Sequence, residues 1–498
     1  MKESWGHARI CGVAFGLVVF LTHLPWLDLP YYWDELGQFV PAALDLFHRG
    51  LWVPRSTVPN IHPPGLMVWL AGVWSVFGYS ITATRMAMLA LASFSALLTF
   101  LLGMRLIPRW GENLGQAPPS PRFCALFAVL LLIVSPLFYT QAMLAELDLP
   151  AMLFTVWALL LFLDDRYVAA ALVSIPLVLV KETGLVVPAV FAAWLLFERK
   201  RREAAWFVLP AVALGGWLVV LWMRTGNAFG NTGFAQFNLL YPLHPVRLTL
   251  ALLRRAQYLV LDNGHWIGWL GIAAAWRTGL FRSRPWRIAG TLAMAHVLAV
   301  TVCGGATLER YLMPVLPLLY IAMAAAFSSF SSGWARAGQA ALPGALLFSL
   351  FWNPPYPYPF ENNLAVADFV RLQQSGAAYV EHHYPDQIAV TAWPLSGALR
   401  RPGLGYVGRR LRVKEIDGFG AGHIAALAPD SVRLFVLYSR EWEPGVDLRR
   451  IPFAIGLARR FYGYAPPVPP EEVARRFGLK EVARWDRRGQ WIAVLARE

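Results

Sequence analysis

Residues 64 to 77 read PGLMVWLAGVWSVF, an uncharged apolar run lying between His62-Pro63 and Gly78-Tyr79. A helix rises about 1.5 Å per residue, so this run reaches roughly 20 Å, whereas the hydrocarbon core of a bilayer is about 30 Å thick. It is short for a span and fits a re-entrant or interfacial helix better. Whether it crosses decides on which side every later loop lies, and therefore the topology of the whole chain.

The other apolar stretches cover residues 8–27, 82–106, 123–140, 149–163, 167–180, 184–198, 204–223, 264–276, 286–303, 312–330 and 338–352. They predict about eleven transmembrane helices. If residues 64–77 do not cross, one side collects Arg105, Arg109 and Arg122, then Arg166, then Arg199-Lys200-Arg201-Arg202. The same side takes Arg277, Arg282, Arg284 and Arg287, and finally Arg336. Basic loops gather on the cytoplasmic side of membrane proteins, so the non-crossing reading is preferred, with the N-terminus cytoplasmic in a plasma (inner) membrane. One loop, residues 224–264, places Arg247, Arg254 and Arg255 outside; long loops obey the charge rule weakly.

Composition agrees. Of 498 residues, 57% are hydrophobic and 15% charged, against about 45–50% and 25% in soluble domains. The formal charge of +14 suits cytoplasmic loops and lipid head groups better than nucleic acid. Cys11, Cys124 and Cys303 lie in or beside apolar stretches, with no spacing for a disulfide framework or a zinc site. Lys2 and Arg9 precede the first apolar run with no small-x-small cleavage site after it, so that run is expected to stay as a helix.

From Asn353 onward the chain is punctuated by proline and then mixes polar and apolar residues with no spanning run. The expected organisation is a transmembrane domain over residues 1–352, its first outer loop over 28–81, and a small soluble α/β domain over 353–498. An amphipathic helix is predicted near 364–383, strands at Ile388 to Trp393 and Arg433 to Tyr438, and a hairpin around Arg487-Arg488-Gly489-Gln490. The pair His382-His383 faces two ways on a helix and makes a poor metal site.

With this parity the polar clusters collect on the outer face: Asp34-Glu35, His62, Glu146-Leu147-Asp148, Lys181-Glu182 and Glu309-Arg310-Tyr311. Charged groups at membrane depth usually line a cavity or pair with one another. Two acidic pairs on one face can divide acid–base work, one carboxylate taking a proton from a hydroxyl while another positions it or holds a cation. Lys181, Arg310 and His62 offer a grip for an anionic phosphate. Structural readings stand beside these: Asp34 capping a helix that begins near Glu35, Lys181 pairing with Glu182, and Glu309 pairing with Arg310. The stretch Val246 to Arg255 reads as a basic amphipathic helix on the membrane surface, either a gate for a lipid tail or a plain interfacial helix. A transporter or lipid flippase would also place polar groups in a helical bundle, although such proteins tend to show repeats and midplane charges.

The order of short motifs resembles the C-type (GT-C) polyprenyl-phosphate-sugar-dependent glycosyltransferases, which include protein O-mannosyltransferases and the aminoarabinose transferase that modifies lipid A. Trp33-Asp34-Glu35 looks like the family's first acidic motif, followed by Trp52-Val53-Pro54 and His62-Pro63-Pro64. Phe77-Gly78-Tyr79-Ser80 with Arg85 is similar to its next stretch. Glu146-Leu147-Asp148-Leu149-Pro150 looks like the second acidic motif, Lys181-Glu182-Thr183-Gly184 the Lys-Gly loop, and Glu309-Arg310-Tyr311-Leu312-Met313-Pro314 the Arg-Tyr-x-x-Pro motif. The resemblance covers residues 8–330.

It implies an inverting sugar transfer from a polyprenyl-phosphate donor to a lipid, glycan or protein acceptor, of hexosyl or pentosyl type. Asp34 would be the general base, and Glu35, Asp148 or Glu146 would orient it or the acceptor. His62, Lys181, Arg310, Tyr311 and Arg85 would hold the leaving phosphate. No metal ligand set follows from the arrangement, and a divalent cation is left open. Leu36-Gly37-Gln38 stands where many relatives carry a Tyr, and Lys-Glu-Thr-Gly replaces Lys-Gly; both bear on sugar and acceptor identity.

Overall fold

Each apolar stretch read above is helical in the computed structural model, which describes residues 2–107, 120–440 and 452–497, with side chains from Ile10 onward. Helix is the form in which a segment can satisfy its own backbone groups away from water. Arg109, one of the basic loop residues, lies outside the described residues, as do the side chains of Lys2 and Arg9.

Length separates these helices. Four are long and apolar enough to cross a membrane: Ile81–Leu106, Arg201–Thr225, Arg284–Val302 and Glu309–Ser328. Pro121–Val134 and Pro136–Met143 make a fifth if taken as one span, bent by 67°. Shorter apolar helices are Ile10–Trp26, Gly65–Phe77, Asp148–Leu163, Tyr167–Val180 and Glu182–Phe197. The bend falls at Ser135, which is extended because a residue before proline is pushed out of the helical region. Its hydroxyl is hydrogen-bonded to Tyr320 (2.9 Å), which is bonded in turn to His265 Nε2 (2.9 Å). His265 Nδ1 donates to the Tyr258 carbonyl (2.8 Å), so the hydrogen-bond chain from the broken helix runs through three neighbours.

The chain divides into two compact units, Met1–Pro25 with Ala42–Leu350, and Trp26–Pro41 with Phe351–Glu498. In the first, Gly65 packs so closely on Leu179 and Val180 that a Cβ there would collide with the Leu179 carbonyl. The short helix Gly65–Phe77 then runs beside the start of Ile81–Leu106, with Trp74 Nε1 donating to Thr84 Oγ1 (3.1 Å) and Trp69 Nε1 to the Ala87 carbonyl (3.3 Å). Between them the chain reverses at Gly78 (φ 77°), and Ser80 caps the longer helix by accepting from Ala83 N–H. Arg85, one turn into that helix, donates to the Met143 carbonyl (2.5 Å). Met143 and Val180 end helices whose following residues, Asp148 and Lys181, touch each other. Gly65 and Arg85 thus both pack beside segments that lead into the Asp148–Lys181 end of this unit.

The basic loops meet at the other end. Arg105 Nε donates to Asp164 (2.6 Å), and Arg284 makes a two-pronged pair with Glu198 (2.6 and 2.9 Å) while approaching Asp165 (3.8 Å). Lys200 donates to the Tyr167 hydroxyl (3.1 Å).

In the second unit, five strands lie in the order β2-β1-β3-β5-β4: β1 Ile388–Ala392, β2 Arg412–Ile416, β3 Leu434–Tyr438, β4 Lys480–Arg487 and β5 Gln490–Ala496. β1 pairs in parallel with β2 and β3, and β5 runs antiparallel to β3 and β4. β3, LFVLY, is buried throughout, as an apolar run in a covered sheet should be. β2, RVKEI, carries its charges on the sheet edge, where they discourage further pairing; those charges also hide it from a hydrophobicity reading. The β4–β5 turn has positive φ at both Arg488 (43°) and Gly489 (82°), the geometry of the two-residue hairpin. Helix Ala365–His383 covers the sheet, with Gly376 against Ile492.

The Arg284 guanidinium beside Glu198 holds that carboxyl down to about 2 from an ordinary 4.5. A depressed carboxyl contributes stability that is complete above its unfolded value and fades as pH falls toward the folded one. The melting-temperature gap between the wild type and Glu198→Gln, measured in detergent, is therefore expected to be widest above pH 5 and to shrink between pH 4.5 and 2. A gap independent of pH would contradict this pairing.

Candidate active site

Three interruptions of helix come together at the end of the first unit that also holds Gly65. After helix Pro136–Met143 the chain turns tightly, Glu146 N–H donating to the Leu144 carbonyl (2.9 Å), and helix Asp148–Leu163 begins. Asp148 is in its first turn, where the helix dipole favours a carboxylate, and Pro150 is tolerated because first-turn N–H groups have no partner within the helix. Helix Tyr167–Val180 stops at extended Lys181, whose charge suits a helix C-terminus, before a single tight turn over Glu182–Leu185. The third break is the 3₁₀ segment Glu309–Val315.

Glu146, Asp148, Lys181 and Arg310 converge there, none more than 7% exposed. Lys181 Nζ donates to Asp148 Oδ1. Arg310 reaches Glu146 Oε2 with a terminal nitrogen (3.0 Å) and Asp148 Oδ2 with Nε (3.4 Å). Two carboxylates and two cations sum to zero, which is how charges persist away from water: none of the four could stay ionised there alone. The Lys181 ammonium also lies 4.1 Å from the centre of the Tyr311 ring. Asp148 is its one carboxylate among the described residues, so two of its three N–H groups are left over.

These partners differ from those that chain adjacency suggests. Lys181 pairs with Asp148, while Glu182 takes His62 Nδ1 (2.9 Å). Glu309 pairs with Arg254 Nε (2.7 Å), leaving Arg310 to the acidic motif. Neighbours at the start of a helical turn point to different sides, so contacts run between segments. His62 is further fixed by the Phe234 ring, edge-on at 5.2 Å, and by its N–H to Asn60 (3.0 Å). Arg85 is fully buried against the Met143 carbonyl, three residues before Glu146.

Asp34 and Glu35 belong to the second unit. Glu35 is fully buried and its Oε2 accepts from Tyr32 N–H (2.8 Å), so its carboxylate is turned onto its own loop. Asp34 leads a π-helical turn, Glu35–Phe39, without capping it through its side chain. The preceding residue, Trp33, has φ 38°.

Other residues around the cluster escape a reading by motif. His296, in the middle of helix Arg284–Val302, donates from Nε2 to the Tyr311 carbonyl (2.8 Å). Arg255, 2% exposed, donates to the Val300 carbonyl (2.8 Å). Gln141 is buried with neither amide atom hydrogen-bonded. For His296 and Gln141 the available signal was a polar residue inside an apolar run; Arg255 was visible only as part of the basic amphipathic stretch. Arg254 and Arg255 sit on helix Pro245–Val260, the amphipathic helix expected from the sequence; both turn toward protein, while Leu252 and Leu253 are exposed.

Among the described residues no group of three or more His, Cys, Asp and Glu side chains is placed to hold a metal ion. Glu146 and Asp148 each have a cation as partner instead. His383 stacks on Tyr379 (4.1 Å) and is hydrogen-bonded to its carbonyl.

No protein-family model matches the chain, and no curated protein matches it by sequence. Solved structures do. ArnT from Cupriavidus metallidurans is similar in its apo state at 17% identity and a TM-score of 0.54, over 99% of this chain and 98% of that one. The same protein bound to undecaprenyl phosphate gives 16% identity and a TM-score of 0.53 with the same coverage. The arabinofuranosyltransferase AftD from Mycobacteria aligns over all of this chain and 40% of that one at a TM-score of 0.46, too low to carry weight. The chain therefore has the ArnT fold along essentially its whole length.

Lys181→Met removes one cation from the buried set and is expected to cost about 3 kcal/mol, because Asp148 keeps only its longer contact to Arg310 and the set is left with a net negative charge. Adding Asp148→Asn should recover most of the loss. Thermal unfolding of the two variants in detergent reads this directly, and equal melting of Lys181→Met and the wild type would refute the pairing.

Proposed function

We propose that this chain is an integral-membrane glycosyltransferase that moves a sugar from a polyprenyl-phosphate donor to an acceptor, with inversion, on the outer face of the membrane. The observation that carries the reading is the buried set Glu146, Asp148, Lys181 and Arg310 beside Tyr311, in a chain with the ArnT fold. ArnT binds undecaprenyl phosphate, and the cations here suit the same phosphate chemistry.

In this reading Asp34 takes the proton of the acceptor hydroxyl, the acceptor oxygen forms a bond to the anomeric carbon, and the bond from that carbon to the phosphate oxygen breaks. A positioned base contributes about 10²–10⁴ in rate. Negative charge grows on the departing phosphate, where Lys181 supplies its remaining N–H donors and Arg310, Tyr311, His62 and Arg85 support them. Asp148 and Glu146 hold the two cations in place, and Glu35 shapes the Asp34 loop. The sugar, hexose or pentose, and the acceptor, lipid, glycan or protein, are set by contacts beyond these residues. About eleven helices cross the membrane, Gly65–Phe77 stays on the outer side, the N-terminus is cytoplasmic and the C-terminal unit is outside.

The decisive experiment incubates the purified protein with a panel of radiolabelled polyprenyl-phosphate sugars and candidate acceptors. One donor should be consumed, and Asp34→Asn should reduce transfer by at least about a hundredfold while still binding undecaprenyl phosphate. Consumption of no donor, or unchanged transfer by Asp34→Asn, would defeat the reading; movement of donor across vesicles without transfer would identify a flippase. Single cysteines at Asn60 and Tyr79 should both react with a membrane-impermeant reagent from the same side, and labelling from opposite sides would overturn the proposed topology.

A further inference from the structure

The parallel part of the sheet has β1 between β2 and β3, so the chain leaves β1 for one neighbour and later returns on its other side. Open α/β sheets of this kind present a crevice at the carboxyl ends of the strands where connections part in opposite directions, and ligands usually bind there. Here the residues that leave those ends are Trp393 after β1, Asp417 after β2, and Ser439 and Arg440 after β3. Two of them, Trp393 and Arg440, lie against a piece of the same chain, residues 31–37.

The grip is specific. The Tyr406 hydroxyl donates to the Tyr31 carbonyl (2.7 Å) and Arg401 donates to the Leu36 carbonyl (3.2 Å), one on each side of Asp34. Gly37 lies on the outer edge of the Trp393 ring so closely that a Cβ would collide with it. Trp393 has little freedom to yield, because a Cβ at Gly397 would meet the same edge. The Arg440 guanidinium stands over the Trp33 ring at 5.9 Å and donates to the Asp417 carbonyl (2.9 Å). Phe369 touches both Trp33 and Tyr438, the last residue of β3. Trp33 itself keeps a left-handed backbone (φ 38°), a conformation that persists in a bulky residue only where its surroundings over-determine it.

We propose that the C-terminal α/β unit is a clamp that fixes the acidic loop in its ligand crevice, with Tyr406 and Arg401 as positioning residues that set the direction of the Asp34 carboxylate. The α/β crevice is thereby filled from within, and no separate small ligand is required to explain its form. This inference rests on the reading of Asp34 as the base, but the hold on the loop can be measured without any substrate.

Tyr406→Phe keeps the ring and deletes one donor. In the full-length protein in detergent it should speed hydrogen exchange at the amides of residues 31–39 by about fivefold or more, the effect of losing one buried hydrogen bond, with exchange in β1, β3 and β5 unchanged. Turnover of whichever labelled undecaprenyl-phosphate sugar the wild type consumes should show a fall in kcat with KM within about twofold, as a misplaced base predicts. Gly37→Ala should be more severe, about a hundredfold in kcat, and the double variant Gly37→Ala/Trp393→Phe, which withdraws the colliding ring edge, should recover most of it. Exchange that rises equally in the strands, or stays unchanged at 31–39 in both single variants, would overturn the clamp. So would the absence of recovery in the double variant. Asp34→Asn run alongside keeps the two readings apart: wild-type turnover there would remove Asp34 as base while leaving the exchange result to decide the clamp.

Discussion

Two carboxylates and two cations held out of water constrain the first unit more than any other contact. A buried ionised group is tolerable only when a counter-charge sits beside it, and removal of one partner strands the other. Asp148 heads one helix, Lys181 ends another, and Arg310 lies in the tight segment leading into a third. Their pairing therefore ties three helices together at a shared end. It also explains why helix is interrupted there: Lys181 is extended, Glu146 lies in a tight turn, and Arg310 follows an extended Leu308. Irregular backbone kept from water persists where other protein groups satisfy it.

Neutrality of that cluster has a chemical consequence. A phosphate cannot simply add to an unopposed positive patch, because both cations already face carboxylates. Under the proposed function, a donor phosphate would share Lys181 with Asp148, through ammonium N–H groups that the carboxylate leaves over. Such an arrangement keeps the cations oriented before an anion arrives, which is the condition for stabilising charge that develops during reaction. At the opposite end of the same unit the ion pairs are more exposed; they join loops rather than prepare a site.

Much of this was legible in the linear chain. Apolar runs gave helices within a few residues of where they occur, and the hairpin at Arg488-Gly489 appeared at the turn expected for it. The two acidic motifs, Lys181 and the Arg310-Tyr311 pair were identifiable as unusual, because a charge in an apolar context needs a partner. Which partner was not legible. Adjacent charges such as Lys181-Glu182 look like pairs in a string, yet each turns to a residue more than thirty positions away. β2 was invisible because an exposed edge strand carries charge where a buried one carries apolar residues. His296 belongs to no motif, Arg255 was read only as part of a surface helix, and the contacts of both arise from carbonyls presented by other segments.

The sequence by itself determined what depends on local periodicity and on the price of charge in an apolar medium: helices, a small α/β unit toward the C-terminus, and the short list of polar residues that required an explanation. Tertiary structure decided the pairing of those residues and the allegiance of residues 26–41, which group with the C-terminal unit despite lying more than three hundred positions before it. Both are matters of which distant carbonyl, ring or carboxylate comes within about 3 Å, the range over which hydrogen bonds act. Directional forces of so short a reach leave no periodic trace along the chain.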